Sequence, residues 1–413
     1  MRFVVRNVLA GTLALASVGA QAQDVPPPKV LSAIAAQFSK RFPATTVSFS
    51  GLGQRFAEQC QMAPATMTTA RDTRRRDFPV LVDGQRGAGA EPKDILARVT
   101  RLTVDADGSG RSYHPDDPFG EGVCTISEDR DGQRAFRGVC AVDSLASGGF
   151  RLFLDATRLA KIAKVPKGPD LAEEWKKLWP LIRDKKVRAF NLGTLAGEKA
   201  LERYYGFYDR TQNLTAIFNR EIIPADGEGY PCRHGATSPH AGYFISATTL
   251  SSPQAGTKDT CTSTAFIDAE HVPFFVLPAG RLGQAGVGDV VVGYLNVEGQ
   301  ERLAYGIAAD TGPFDQFGEG SIAFNQRLLG DTKAVMNVKG VYGVDIDLKR
   351  GTRGKEQPAV MAILVIGATS HLFKGDYSPR NVETIARQEF ARWGGNAEQA
   401  TRRLKACAAV ARQ

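Results

Sequence analysis

Most of the short motifs that mark an enzyme's chemistry are missing from this 413-residue sequence. It has no Gly-x-Ser-x-Gly turn, so a serine nucleophile has no elbow to stand on. It has no glycine loop with phosphate-cradling spacing, which argues against nucleotide chemistry. The five histidines, His114, His234, His240, His271 and His371, are scattered, and none forms a His-x-x-x-His pair that would grip a metal. No Cys-x-x-Cys occurs, which removes the usual dithiol and zinc-ribbon chemistry. No internal repeat is found. Past the first two dozen residues, no apolar run approaches the about 20 residues needed to cross a bilayer.

The chain begins with a basic pair, Arg2 and Arg6, then an apolar core from Val8 to Ala20, then Ala20-Gln21-Ala22. This pattern reads as a secretory signal peptide cut after Ala22, shorter than a membrane anchor. The expected location is therefore periplasmic or extracellular, with no stable membrane anchor. The formal charge of +8 falls to +6 when Arg2 and Arg6 leave. The one basic cluster, RDTRRRD from Arg71 to Asp77, reads as a solvated face, and an exported chain is not expected to meet nucleic acid.

Six cysteines in an oxidising compartment point to disulfides, although six allow 15 connectivities. Cys124 and Cys140 flank an Asp131-Gly132 turn almost symmetrically, as the ends of a hairpin do. Cys232 and Cys261 bracket a Gly/Ser/Thr-rich segment. Cys60 and Cys407 are then left to tie the two ends of the chain together.

The texture changes several times along the chain. A Pro-rich lead-in is followed by a helical pattern within Val30 to Ala63. Pro64 to Pro92 reads as an irregular connection. ILARVTRLTVDADG is strand-like and ends at an Asp-Gly turn. Residues 156–222, including DLAEEWKKLWPLIRDKKV and GEKALERYYGFYDR, carry helical spacing. Trp175 and Trp179 stand at i, i+4 there and read as a core-facing stripe. From Ala241 onward, short runs rich in Val, Ile, Phe and Tyr alternate with turns, which suggests a closed or nearly closed barrel. GEGSIAFNQRLLG offers one short helix with Gly330 as its C-cap, and the tail after Pro379 is helical.

Paired carboxylates remain as chemistry, because two acids can hydrolyse a glycosidic bond without a cofactor. Asp310 ends an apolar run, where a strand can hold it rigidly. Glu319 follows nine positions later, between Gly318 and Gly320, whose small size leaves room for a bulky substrate. From spacing alone, a solvated acidic loop is the alternative. The segment from Ala265 to Gly330 holds eight acids against three bases, a net of −5 on a basic chain, and such a segment suits a cationic ligand.

A series of segments then resembles one family. LTVDADGSGRSYHPDD, GYFISATTL, FIDAEHVPFFVLP, GDVVVGY and ADTGPFDQFGEGSIAFNQRLLG occur in the order seen in the glycoside hydrolase family 75 chitosanases. The Asp-x-Gly-Pro turn followed by Gly-Glu-Gly-Ser is the most specific. The resemblance implies endo-hydrolysis of the β-1,4 linkages of chitosan with inversion, Glu319 as general acid and Asp310 as the base that activates water. It implies an α+β fold with a β-rich core, a six-stranded double-psi-like β-barrel carrying a helical insertion and terminal helices. The expected division is a leader at 1–22, an N-terminal extension at 23–95, a catalytic domain at 96–375 with the insertion at about 156–222, and a helical segment at 376–413. The turn is also similar to that of double-psi barrels that cut cell-wall glycans. A peptidoglycan-active lytic enzyme and a non-catalytic glycan-binding envelope protein therefore stand as alternatives.

Asp105, Asp107, Tyr113 and His114 follow a strand and are candidates for lining the same cleft as substrate-binding residues. The D-x-D-G start hints at calcium, but Gly108 comes too early for an EF-hand loop, and an Asx-turn is the plainer reading of Asp107. Asp315, between the two catalytic candidates, either binds a substrate amine or is solvated. No metal and no cofactor are expected. The expected partner is an amino-sugar polysaccharide met by a monomer.

Overall fold

The computed structural model describes, with short gaps, residues 66–82, 94–115, 124–138, 150–154, 169–252, 261–330, 346–347 and 360–410. The expected leader, the helical pattern before residue 64, Cys60, Cys140 and Asp315 lie outside the described residues.

The strands are β1 (Thr66–Arg71), β2 (Asp77–Val82), β3 (Ile95–Val99), β4 (Arg101–Asp105), β5 (Cys124–Glu128), β6 (Arg134–Gly138), β7 (Phe150–Leu154), β8 (Ala189–Asn191), β9 (Tyr204–Asp209), β10 (Leu214–Asn219), β11 (Phe274–Pro278), β12 (Val290–Val297), β13 (Gln300–Gly312), β14 (Glu319–Ser321), β15 (Ile346–Asp347) and β16 (Val360–Ile366). The helices are α1 (Pro169–Arg183), α2 (Ile322–Leu329), α3 (Pro379–Gly394) and α4 (Ala397–Val410). The protein is α+β, built on a large, mostly antiparallel sheet of order β1-β2-β3-β16-β12-β13-β11-β14-β4-β15. Two neighbouring pairs run parallel, β11 with β13 and β4 with β14.

β12, β13 and β16 are nearly continuous apolar runs because the sheet is covered on both faces. Val290, Val292 and Tyr294 face one core, where Val382, Ala386 and Phe390 of α3 and Leu404 of α4 pack. Val291 and Leu295 face the other, with Phe324 and Leu328 of α2. Ser321 caps α2 by accepting from the Phe324 amide (3.1 Å), and Gly330 ends it in the left-handed region at φ 68°. That is the helix and the cap expected from the sequence.

No strand pair among the described residues joins β1 to β15, so the ladder does not close on itself as the expected barrel would. The sheet is nonetheless curled. β3 and β4 are separated only by Thr100, yet they stand six places apart in the strand order. Consecutive Cα atoms are about 3.8 Å apart, so Val99 and Arg101 stand within about 7.6 Å of each other and the two parts of the sheet are drawn together between β3 and β4.

Two further expectations change. The stretch from 64 to 92, expected to be irregular, contains β1 and β2, and β2 pairs with β3, so these strands belong to the main sheet. The basic cluster begins on β1 and ends on β2, with Arg71 opposite Asp77. The second expected helix of the insertion is β9. YYGFYD is dense in aromatics, which suit a pleated surface, and Tyr205 and Phe207 are fully buried. β7, β10, β9 and β8 form a separate four-stranded sheet beside α1, whose Trp175 and Trp179 are 2% and 7% exposed. Those rings stack at 5.4 Å within this core, so the core-facing stripe stands.

Cys232 and Cys261 are joined, with 5.0 Å between their Cα atoms. Cys407 is disulfide-bonded as well; its expected partner, Cys60, lies outside the described residues. Cys124 lies on the β5–β6 hairpin, opposite Gly138. No described helix is long and apolar enough to cross a membrane.

Candidate active site

β11 lies between β13 and β14, and one of its residues, Val276, is paired with both candidate acids. Val276 stands opposite Asp310 on β13 and opposite Glu319 on β14. Residues in register on neighbouring strands share a face, so the two carboxyls project from one side of the sheet. Strands two places apart are separated by about 9.5 Å. Glu319 reaches back along that face: its Oε2 lies 3.5 Å from where a Cβ on Gly312 would stand.

The direction of Asp310 depends on a β-bulge. Phe275 pairs with Ala308 and Val276 with Asp310, leaving Ala309 as the extra residue. A bulge re-aims the side chain that follows it. It also frees the Ala309 carbonyl, which accepts from the Leu250 amide at 2.8 Å. That bond draws the GYFISATTL segment alongside the end of β13. Asp310 Oδ1 then accepts from the Thr249 amide (3.0 Å), the Thr249 hydroxyl (2.6 Å) and its neighbour's amide at Thr311 (2.7 Å).

β4 completes the row, with Thr103 opposite Glu319 and Asp105 opposite Ser321. Past β4 the chain turns so that Asp105 Oδ1 accepts from the Asp107 amide at 2.8 Å. The Asx-turn is thus made by Asp105, whereas Asp107 points its own carboxyl into the site. Asp107 Oδ1 accepts from Ser246 (2.8 Å), and Tyr113 also hydrogen-bonds this carboxyl. Gly108 is required here: its φ is 83°, and a Cβ would stand 2.0 Å from the Ile267 carbonyl oxygen. Asp105, Asp107 and Asp310 each bring one carboxylate oxygen within 4.8 Å of the others.

Crowding governs the protonation of these groups. Burial pushes the Asp310 carboxyl up to about 6, against the pull of its Thr249 and Thr311 donors. Burial and the nearby Asp310 charge push Glu319 up to about 7, opposed only by a hydrogen bond from Thr103. Asp107 rises to about 8, chiefly through burial and then the Asp310 charge, and Asp105 is raised well above the ordinary carboxylate range. Glu221, which follows β10, adds a smaller repulsion at Asp310.

The structure therefore brings Asp105, Asp107, Tyr113, Asp310 and Glu319 together. His114 packs edge-on against Tyr243, with ring centres 4.5 Å apart. Ser246, Thr249 and Thr103 are supporting residues that the sequence does not single out; the run of small hydroxyl residues in ISATTL is a signal for Ser246 and Thr249 alone. The glycines beside Glu319 do not open space for a substrate. Gly318 is buried and has φ 126°, and a Cβ on Gly320 would come 3.0 Å from the Phe324 ring. α1 acts as a buttress: its Trp179 packs against Phe244, whose amide donates to the Tyr113 carbonyl at 2.9 Å. No protein-family model matches the chain, and no curated protein matches it.

Proposed function

We propose that the chain is an exported, inverting glycoside hydrolase that cuts β-1,4 linkages within chitosan or a related amino-sugar glycan. The observation that carries this reading is the Asp310–Val276–Glu319 row: two acids, one face, one intervening strand. Inverting enzymes hold their carboxyls about 6.5–9.5 Å apart to admit a water, which suits a pair whose strands are about 9.5 Å apart. The roles follow from the donors. Asp310 receives two backbone amides and a hydroxyl on a single oxygen, which favours the anion, so it serves as the base that activates water. Glu319 is the more readily protonated of the two and serves as the general acid for the leaving oxygen.

The resemblance to family 75 chitosanases and the double-psi-like barrel belong to this proposal. The curl between β3 and β4 and the parallel pairs β11/β13 and β4/β14 support the barrel, because residues 95–105 then supply both end strands of the seven-strand run from β3 to β4. The acidic cluster suits a cationic polymer. The test is reducing-end release from chitosan by wild type, Asp310→Asn and Glu319→Gln. Wild type is expected to be active, and each variant to lose at least about a hundredfold, the lower range for a general acid or base. Equal rates in all three would sink the reading. Clearing of purified peptidoglycan without chitosan cleavage would replace the substrate, and binding of insoluble glycan with no turnover would replace the enzyme by a binding protein.

A further inference from the structure

We propose that Asp107 is the proton-holding partner of Asp310, a positioning residue that stays un-ionised while Asp310 works as the base. The inference rests on Asp310 having that role. It starts from crowding: Asp105, Asp107 and Asp310 carry carboxylate oxygens within 4.8 Å of one another. Like charges so close cannot all ionise, and one or more of the groups keeps a proton.

The hydrogen-bond partners decide which group remains charged. Two of the three donors on Asp310 Oδ1 are backbone amides, from Thr249 and Thr311, which can only donate. They favour an anion. The two side-chain partners of Asp107 are hydroxyls, on Ser246 and Tyr113. A hydroxyl donates or accepts with equal ease, so this pair serves a protonated acid as well as an anion. The Ser246 oxygen is itself held by the Gly108 amide at 3.2 Å, which fixes it beside the acid. Asp107 is 9% exposed, so water contributes little to its charge.

The groups that set its ionisation are Asp105 from the end of β4, Asp310 from β13, Glu319 from β14 and the Tyr113 hydroxyl. Glu221 acts one step removed, on Asp310. All the charged groups in this set are acids. A neutral Asp107 therefore spares Asp310 a second adjacent negative charge, which would otherwise drive the base itself to take up a proton.

Infrared spectra read un-ionised carboxyls directly and require no glycan. At pH 7 the wild type is expected to show carboxylic-acid C=O absorption that Asp107→Asn partly loses. In the wild type alone, part of that absorption should fade as pH rises through about 8. Equal absorption in the two proteins, or none fading in the wild type, overturns the proposal. In the pH–rate profile, the acid limb of Asp107→Asn should stay in place, because a neutral amide replaces a neutral acid. A downward move of about one unit, the response to deleting a neighbouring negative charge, overturns it too. Calorimetric titration with Ca²⁺ or Mg²⁺ gives the remaining check: binding abolished in Asp107→Asn would mean that a cation, not a proton, neutralises the cluster. If the wild type cuts no glycan, the glycosidase reading fails while the infrared result still reports on the Asp107 proton.

Discussion

Replacing Thr249 by valine tests how Asp310 is kept ionised. Valine keeps the branched shape and removes a single hydroxyl, the one that donates to Asp310 Oδ1 at 2.6 Å. The Thr249 and Thr311 amides remain at 3.0 and 2.7 Å, so the carboxyl stays in place. A hydrogen bond to a charged group contributes about 1.5–3 kcal/mol, and Thr249 is exposed, so the lower end applies. Dividing by about 1.36 kcal/mol per unit gives a rise of about one pH unit. The sign follows from the role: the base must be ionised, so activity is lost as pH falls through the Asp310 value. The acid limb of kcat/KM should therefore move from about 6 to about 7, while the alkaline limb set by Glu319 stays near 7. With both limbs at one pH, the fraction holding Asp310 ionised and Glu319 protonated falls about twofold at the optimum. The assay is reducing-end release across pH 4 to 9. An acid limb that stays put or moves to lower pH would refute the assignment of the hydroxyl as the support of the anion.

Two further substitutions probe the frame around the site. Gly108→Ala combines a positive φ with a Cβ 2.0 Å from the Ile267 carbonyl oxygen; it should lower stability by at least about 1–3 kcal/mol, read by thermal melting, and displace Asp107. Replacing Cys232 and Cys261 together by serine opens a closure between residues 29 apart. The expected loss of stability relative to the wild type is about 3.5 kcal/mol in urea titration.

The sequence made some of this legible and hid the rest, for physical reasons. β12, β13 and β16 could be read because a sheet covered on both faces needs unbroken apolar strands. α2 could be read because its Gly330 cap is local. Asp310 and Glu319 stood out as a pair nine residues apart, and their pairing to a common residue, Val276, accounts for that interval. The partners of the acids were not legible. Ser246 lies 139 residues from Asp107, and Thr249 lies 61 from Asp310. No local pattern reports contacts of that span. At β9 the sequence points to helix, because the Ala, Glu, Lys and Leu content just before it favours that state, while burial of its aromatics decides for strand. Both members of D-x-D fit the Asx-turn rule, so the sequence does not tell Asp107 from Asp105, which makes the turn.

The bulge at Ala309 means that Asp310 owes its aim to a count of residues rather than to its own identity. Were β13 to pair straight through, with Ala309 opposite Val276, alternation would send the acid to the opposite face of the sheet, the side that holds Phe317 and Phe324. A chain that paired in that straight register would still contain Asp310, Glu319, Asp107 and every threonine that supports them. Scored position by position, it would look intact, and it would have no active site.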